Sequence, residues 1–242
     1  MTSPRFDAVL FDAGGVLVMP DPGAMGGAIE HLVGHHAVSD YRRAHHAGLR
    51  ALERHLFSLG PGAVGGSVSL ERENWNDYLA GYAISLGLAP DRRDDAVSAL
   101  RRVFSSFVWR ARIEDSIGAL GALHGRGVPM GVVSNASGQI ESTLRYQGVC
   151  QVGVGAGVPV RCVVDSHVVG VAKPDPGIFA PALEALDLPD PSRVAYVGDS
   201  SINDVIGAAA AGLTPLQLDP FDHYPDADHE RIRSVWELLD WV

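Results

Sequence analysis

Four short segments of the sequence carry polar side chains whose types could together transfer a phosphoryl group. They supply a carboxylate that can act as a nucleophile, a hydroxyl and an amide that can hold phosphate oxygens, and a lysine point charge. They also supply two further carboxylates, which are oxygen ligands suited to Mg²⁺. The segments are FDAGGVL, VVSNAS, VAKPDPGIF and YVGDSSINDV, and the residues are Asp12, Ser134, Asn135, Lys173, Asp199 and Asp204.

Short apolar runs precede these segments and are typical of buried strands. Continuous runs of roughly four to eight residues fit strands that are buried on both faces of a parallel sheet, with helices between them. Because ligands of such sheets bind at the carboxyl ends of the strands, this fold would bring the polar residues together. The sequence therefore predicts a doubly wound α/β core with strands at residues 6–11, 128–134, 161–165, 194–197 and 215–218.

Helical patterns occur both between these strands and in a long insertion. Crossover helices are predicted at 137–147, 177–186 and 201–211, the last followed by Gly212, a residue favoured just after helix ends. Residues 18–112 break the strand–helix alternation: they are helical in pattern over 39–59 and 70–86, glycine-rich over 60–66, and contain no convincing strand. We therefore expect an α/β core of residues 1–17 and 113–242, with residues 18–112 forming an all-helical cap domain.

The composition excludes several classes of protein. With 46% hydrophobic and 20% charged residues, the chain has the composition of a soluble globular protein. Its formal charge of −10 provides no basic stripe for nucleic acid. No segment approaches the roughly 20 apolar residues of a membrane span, and the N-terminal residues do not resemble a signal peptide. We expect a cytoplasmic protein without nucleic-acid or membrane partners, and the sequence makes no prediction of its oligomeric state.

Taken in order, the four polar segments resemble the motifs of the haloacid dehalogenase superfamily. The resemblance covers nearly the whole chain, and most members of this superfamily are Mg²⁺-dependent phosphatases. It therefore implies that fold, that cofactor and a small phosphorylated substrate. The matching residues are Phe11-Asp12 for the first motif, Ser134 for the second, Lys173-Pro174 for the third, and Gly198-Asp199 with Asp204 for the fourth.

The resemblance also implies a role for each residue. Asp12 would attack phosphorus to form an aspartyl phosphate, which divides one difficult hydrolysis into two easier steps. Ser134, the backbone amide of Asn135 and the Lys173 ammonium would stabilise the oxygens of the transferring group. Mg²⁺ would offset the repulsion between carboxylate and phosphate. Its ligands would be Asp12, the backbone carbonyl of Gly14, Asp199 and, through water, Asp204.

Gly14 is the position at which the chain departs from the family pattern. Most phosphatases of the superfamily have a second aspartate there, which protonates the leaving oxygen and then activates water. The Gly14 carbonyl can still bind metal, but proton transfer of this kind contributes about 10² to 10⁴ in rate. Three explanations stay open: a phosphatase that works without this acid, a 2-haloacid dehalogenase, or a catalytically impaired protein retained for binding or interaction.

Other residues bear on these alternatives. Dehalogenases of the superfamily need no metal, whereas this chain has both Asp199 and Asp204. Phosphonate hydrolysis would need a cap lysine, but Lys173 is the only lysine of the sequence, and phosphosugar mutases need the missing carboxylate. The favoured reaction is hydrolysis of a sugar phosphate or similar metabolite, and His46 of the cap is a candidate substrate contact and surrogate acid.

Overall fold

The computed structural model describes residues 4–60, 75–188 and 190–242 of the chain. The chain divides into two compact units, one formed by residues Met1–Val18 and Arg112–Val242 and the other by Met19–Ala111. That the second unit serves as a cap stays a prediction. Most of the predicted glycine-rich segment 60–66, and the start of the helix predicted at 70–86, lie outside the described residues.

The strands of the described chain are β1 (Ala8–Phe11), β2 (Val18–Pro20), β3 (Trp109–Arg112), β4 (Met130–Ser134), β5 (Cys150–Val152), β6 (Val158–Val160), β7 (Val163–Asp165), β8 (Val194–Gly198), β9 (Thr214–Leu218) and β10 (Arg231–Ile232). The α-helices are α1 (Pro22–Val33), α2 (Val38–Ser58), α3 (Trp75–Ser85), α4 (Arg93–Arg101), α5 (Glu114–Gly125), α6 (Ile140–Tyr146), α7 (Ser166–Val169), α8 (Ala180–Leu186) and α9 (Gly207–Ala210). A π-helix spans Ser201–Ile206, and 3₁₀ helices lie at Pro90–Arg92, Ser106–Val108, Pro176–Phe179, Pro191–Arg193 and Val235–Asp240.

A parallel sheet of six strands, in the order β10-β9-β8-β1-β4-β7, forms the centre of the first unit. The side chains of each central strand alternate between two apolar clusters. In β1, Val9 and Phe11 join a cluster with residues of α5 and α6, whereas Ala8 and Leu10 join one with residues of α8 and α9. Because both faces are covered by helices, the strands consist of continuous apolar runs.

The structure confirms the α/β fold and each of the five predicted core strands, with ends that shift by up to two residues. Five short strands of the described residues were missed, and two of them, β5 and β6, pair only with each other in a separate sheet. The edge strand β10 has only two residues, and β2 and β3 pair with each other at the two ends of the segment that we expected to be wholly helical. Strands of two to four residues are too short to produce a recognisable periodic pattern.

The helices of the second unit pack through glycine and aromatic residues. A Cβ at Gly48 of α2 would lie 2.7 Å from the carbonyl oxygen of Tyr78 in α3, so these helices approach too closely for a side chain there. Tyr78 is fully buried, and its ring contacts those of Trp75, Phe104 and Trp109. The close approach of α2 and α3 therefore depends on the absence of a side chain at Gly48, and aromatic rings pack around Tyr78 at this contact.

Across residues 4–60, 75–188 and 190–242, every helix is too short or too polar to cross a membrane.

Two glycines in helices, one with open space around it and one in the contact between α2 and α3, should respond in opposite ways to substitution by alanine. At Gly27 of α1 a Cβ would meet no atom within 4 Å, so Gly27→Ala should stabilise by up to about 1 kcal/mol through helix propensity. Gly48→Ala should instead destabilise by about 1–3 kcal/mol because the new methyl group overlaps Tyr78. Urea unfolding of the two variants beside the wild type measures both; equal stability of the two variants would contradict the described packing.

Candidate active site

The register of the central strands brings the predicted site residues to one edge of the sheet. Phe11 of β1 pairs with Val132 of β4 and with Val197 of β8, and the Asp12 amide donates to the Val197 carbonyl at 2.8 Å. Asp12 therefore lies level with the ends of both neighbouring strands. Ser134, buried at the end of β4, and Asp199, buried immediately after β8, lie at this same edge.

A buried ammonium group joins the carboxylates of this edge. Lys173 Nζ lies 2.9 Å from Asp12 Oδ1 and 2.6 Å from Asp204 Oδ1. The Lys173 side chain is only 1% exposed, so these ion pairs are little screened by solvent. One oxygen from each of Asp12, Asp199 and Asp204 lies within 4.8 Å of the other two. The structure thus gathers three carboxylates and one lysine from widely separated parts of the chain.

A π-helix brings Asp204 back toward the strand that precedes it. We predicted an α-helix over 201–211, but its first part is a π-helix in which the Val205 amide donates to the Ser200 carbonyl. The Asp204 carboxylate accepts from the Ser200 amide at 2.9 Å. A Cβ at Gly198 would lie only 2.2 Å from Cγ of Asp204, so the side chain lies directly over the glycine. Gly198 is needed at this position because any side chain would displace Asp204.

Asn135 has a structural contact that the sequence analysis did not foresee. We predicted that its backbone amide binds phosphate, and this stays a prediction. Its side chain binds the main chain of Lys173 in both directions: Nδ2 donates to the Lys173 carbonyl at 2.9 Å, and Oδ1 accepts from the Lys173 amide at 2.8 Å. Asn135 thereby fixes the base of the lysine to the end of β4.

Three further residues support the edge and were also missed. Asp165 Oδ2 accepts from the Gly138 amide at 2.9 Å, and Ser166 Oγ lies 3.1 Å from the Ala136 amide, so both organise the turn after Ser134. Gln217 Nε2 donates to the Asp199 carbonyl at 3.0 Å. Asp165 and Gln217 lie at or near the ends of β7 and β9, and Ser166 begins α7. None of the three lies in a motif that its own sequence context would reveal.

Tyr196 of β8 was missed as well. It is fully buried, and its hydroxyl lies 2.8 Å from Lys173 Nζ and 3.1 Å from Asp204 Oδ1. The only signal in the sequence is a hydroxyl-bearing aromatic residue inside an otherwise apolar strand. Such a residue usually needs a hydrogen-bond partner when buried.

The crowding of carboxylates changes their ionisation. Burial raises the pKa of Asp12 to about 7; the Lys173 charge opposes this rise, and the charges of Asp204 and Asp199 add to it. Burial alone would lower the pKa of Lys173, but Asp12 and Asp204 together hold it above its usual value. The ammonium therefore stays charged, and it compensates only part of the negative charge around it.

The same donor set suits a hard divalent cation. Carboxylate oxygens are the ligands that Mg²⁺ prefers, and a cation near Asp12 would favour the ionised form that burial disfavours. Asp12, Asp199 and Asp204 would hold it. Gly14 lies in the turn after Asp12, where the positive φ belongs to Gly15 (68°), and a contribution from the Gly14 carbonyl stays a prediction. His46 lies buried in α2 of the second unit, and its role as a substrate contact also stays a prediction.

Asp204→Asn should lower the pKa of Asp12 in the metal-free protein, because it removes one of the charges that disfavour ionisation. Since the folded pKa of about 7 exceeds the unfolded value of about 3.9, ionisation of Asp12 lowers stability as pH rises through this interval. That loss should be smaller in the variant. Carboxyl ¹³C NMR titration in EDTA, with the exposed Asp94→Asn as control, measures the shift; an unchanged or higher pKa would contradict the described cluster.

Comparison with known proteins agrees with this architecture. The model of the haloacid dehalogenase-like hydrolase family matches residues 6–212. Haloacid dehalogenase-like hydrolase domain-containing protein 3 of Mus musculus is 32% identical over 145 residues, which cover 59% of this chain and 54% of that protein. Pyrimidine 5'-nucleotidase YjjG of Escherichia coli is 41% identical over 76 residues, 31% of this chain and 32% of that protein. The match thus spans about half the length of the mouse protein and about a third of the bacterial one.

Solved structures share the fold over nearly the whole chain. The HAD-hydrolase YfnB from Bacillus subtilis, bound to magnesium, has a TM-score of 0.59 at 19% identity and covers 98% of both chains. A HAD phosphatase from Thermococcus onnurineus has a TM-score of 0.55 at 21% identity, covering 97% of this chain and 96% of its own. A 2-haloacid dehalogenase from Pseudomonas syringae has a TM-score of 0.53 at 20% identity and covers 97% of both. The fold, the four ordered motifs and the family match over residues 6–212 establish that this chain belongs to the haloacid dehalogenase-like hydrolase family.

Proposed function

We propose that this protein is a Mg²⁺-dependent phosphohydrolase that acts on a small phosphomonoester, such as a sugar phosphate, through an aspartyl phosphate on Asp12. The observation that supports it most is the gathering of the Asp12, Asp199 and Asp204 carboxylates, the first and last of which contact the buried Lys173 ammonium. A site that uses a carboxylate to attack carbon does not need two further carboxylates, whereas a site for a divalent cation does.

The contacts of Asp12 support its role as the nucleophile. The Ala13 amide donates to Asp12 Oδ1 at 2.7 Å, and Lys173 Nζ lies 2.9 Å from the same oxygen. With Oδ1 held on two sides, Oδ2 is the oxygen that we assign to the attack. The new O–P bond forms as the bond from phosphorus to the leaving oxygen breaks. Water then attacks the phosphorus of the aspartyl phosphate, releasing inorganic phosphate and restoring the carboxylate.

The remaining groups of the edge would stabilise charge. The Ser134 hydroxyl and the Asn135 amide would donate to oxygens of the transferring group, and the Lys173 ammonium would add positive charge close to Asp12. Mg²⁺, held by Asp12, Asp199 and Asp204, would supply the charge that allows two anions to approach each other. This need is strong because the Lys173 ammonium is shared between Asp12 and Asp204.

Because Gly14 provides no acid to protonate the leaving oxygen, we expect the leaving group of the substrate to determine which compounds are hydrolysed. Without a carboxylate at this position, the leaving oxygen must take its proton from water or from another group such as His46. Substrates whose leaving group is a stable anion depend least on an acid catalyst. We therefore propose a substrate with a comparatively good leaving group, and sugar 1-phosphates are the first compounds to test.

Two alternatives predict different products. A 2-haloacid dehalogenase would release halide in the presence of EDTA, and solved structures of the same fold include such an enzyme. A catalytically impaired binding protein would release neither halide nor phosphate. The carboxylate cluster supports the phosphatase over the first alternative, and Gly14 is the only feature that motivates the second.

Phosphate release from a panel of phosphomonoesters, with Mg²⁺ and with EDTA, tests the proposed function. We expect turnover only with Mg²⁺, and a loss of at least about 10³-fold in Asp12→Asn because the variant lacks the nucleophile. The exposed Asp94→Asn should retain full activity as a matched control. Halide release in EDTA, or silence of the folded wild type toward all substrates, would overturn the proposal.

Gly14→Asp should restore an acid to the site. For alkyl phosphates with poor leaving groups we expect kcat to rise about tenfold or more, whereas p-nitrophenyl phosphate, whose leaving group needs no proton, should gain little. Gly14→Asn is the matched control because it adds nearly the same volume without the acid. If the aspartate and asparagine variants gave the same kcat for both kinds of substrate, the explanation of Gly14 as a missing acid would be wrong.

A further inference from the structure

We propose that Tyr196 is a positioning residue whose hydroxyl fixes the Lys173 ammonium between Asp12 and Asp204. The position of the ammonium can be measured whatever reaction the protein catalyses, whereas the effect of Tyr196 on turnover rests on the proposed function. Tyr196 is not among the residues matched to the four motifs, and its hydroxyl contacts the Lys173 ammonium, which is a proposed phosphate contact. It acts through Lys173.

The number of hydrogen-bond acceptors around the Lys173 ammonium equals the number of its N–H donors. An ammonium group has three N–H donors and no acceptor. The structure supplies three partners for Nζ: Asp12 Oδ1 at 2.9 Å, Asp204 Oδ1 at 2.6 Å and Tyr196 Oη at 2.8 Å. Because the Lys173 side chain is 1% exposed, water cannot readily replace a lost partner. The tyrosine hydroxyl is thus the one neutral acceptor among the three.

The hydroxyl is itself tied to the sheet. Tyr196 Oη lies 3.0 Å from the Val133 carbonyl of β4 and 3.1 Å from Asp204 Oδ1. Its single proton can be donated to one of these oxygens while its lone pairs accept from Lys173. Through the Tyr196 hydroxyl, the position of the Lys173 ammonium is therefore fixed relative to the main chain of β4 and to β8, the strand that carries Tyr196. Two carboxylates alone would leave the ammonium free to move toward either of them.

The ring of Tyr196 has a separate role in packing, so the two functions can be tested apart. The ring lies edge-on to Phe179, with centroids 4.9 Å apart, inside the cluster on one face of the sheet. Phenylalanine at this position would fill the same space and lose only the oxygen. Tyr196→Phe thus removes the acceptor for Lys173 while it keeps the core.

Lys173 is the only lysine of the sequence, and this allows a direct test. In protein labelled with ¹⁵N-lysine, one side-chain Nζ signal reports on this ammonium. Three bound N–H groups predict slow exchange of its protons with water in the wild type. In Tyr196→Phe we expect a shifted signal and exchange that is about tenfold faster or more, whereas Tyr146→Phe, which removes a hydroxyl from an 88% exposed side chain, should change neither.

Two NMR outcomes would overturn the inference. The first is an unchanged signal and exchange rate in folded Tyr196→Phe. The second is fast exchange in the wild type, which requires no variant and therefore decides the matter even if Tyr196→Phe does not fold.

Turnover gives a second, independent measure. We expect kcat to fall about tenfold in Tyr196→Phe with KM changed by less than about twofold, because a misplaced ammonium weakens stabilisation of the transition state more than binding. A purely structural role would instead lower the melting temperature and leave kcat per folded molecule unchanged, and that result would overturn the inference. Absence of turnover in the wild type would reject the proposed function, and the NMR result would still decide the role of Tyr196.

Discussion

The contact of one buried ammonium with two carboxylates is the interaction on which the edge of the sheet depends. Lys173 reaches Asp12 and Asp204, which lie 192 positions apart in the chain, and it is almost wholly removed from solvent. A buried ion pair stabilises little unless every remaining donor and acceptor is also satisfied. The Tyr196 hydroxyl, the Ala13 amide and the Ser200 amide complete that set. The surrounding polar contacts can therefore be understood as conditions for keeping this charge inside the protein.

The sheet can hold these polar contacts because the side chains of its central strands pack into apolar clusters on both faces, and the strands end at one edge. Asp12 continues β1, Asp199 follows β8, and the Asn135 side chain ties the main chain of Lys173 to the end of β4. A carboxylate cluster of this kind opposes folding, since burial and mutual repulsion raise the pKa of Asp12. The apolar cores on both faces must offset that cost. The apolar clusters thus lie along the strands, and the charged residues lie in the segments that follow the strands.

Sequence reasoning predicted the parts of this arrangement that have a pattern. Continuous apolar runs identified the five core strands, and the ordered motifs identified Asp12, Lys173, Asp199 and Asp204 as neighbours. It could not predict contacts between side chains that are far apart in the sequence and meet only in the folded protein. Tyr196 appears in the sequence as one more strand residue, the side-chain contact of Asn135 depends on a partner 38 positions away, and the π-helix after Ser200 follows an ordinary helical pattern. The requirement for glycine at position 198 is visible only once Asp204 lies over it.

The pairing of β2 with β3 has a consequence for how this chain can diversify. These strands stand at the two ends of the second unit, so the chain leaves the first unit and returns to it along adjacent strands, roughly 4.8 Å apart. Any inserted segment whose ends can meet at that spacing is compatible with an unchanged core sheet. Changes in the length or composition of the inserted segment therefore need not alter the register that brings Asp12 and Asp199 together.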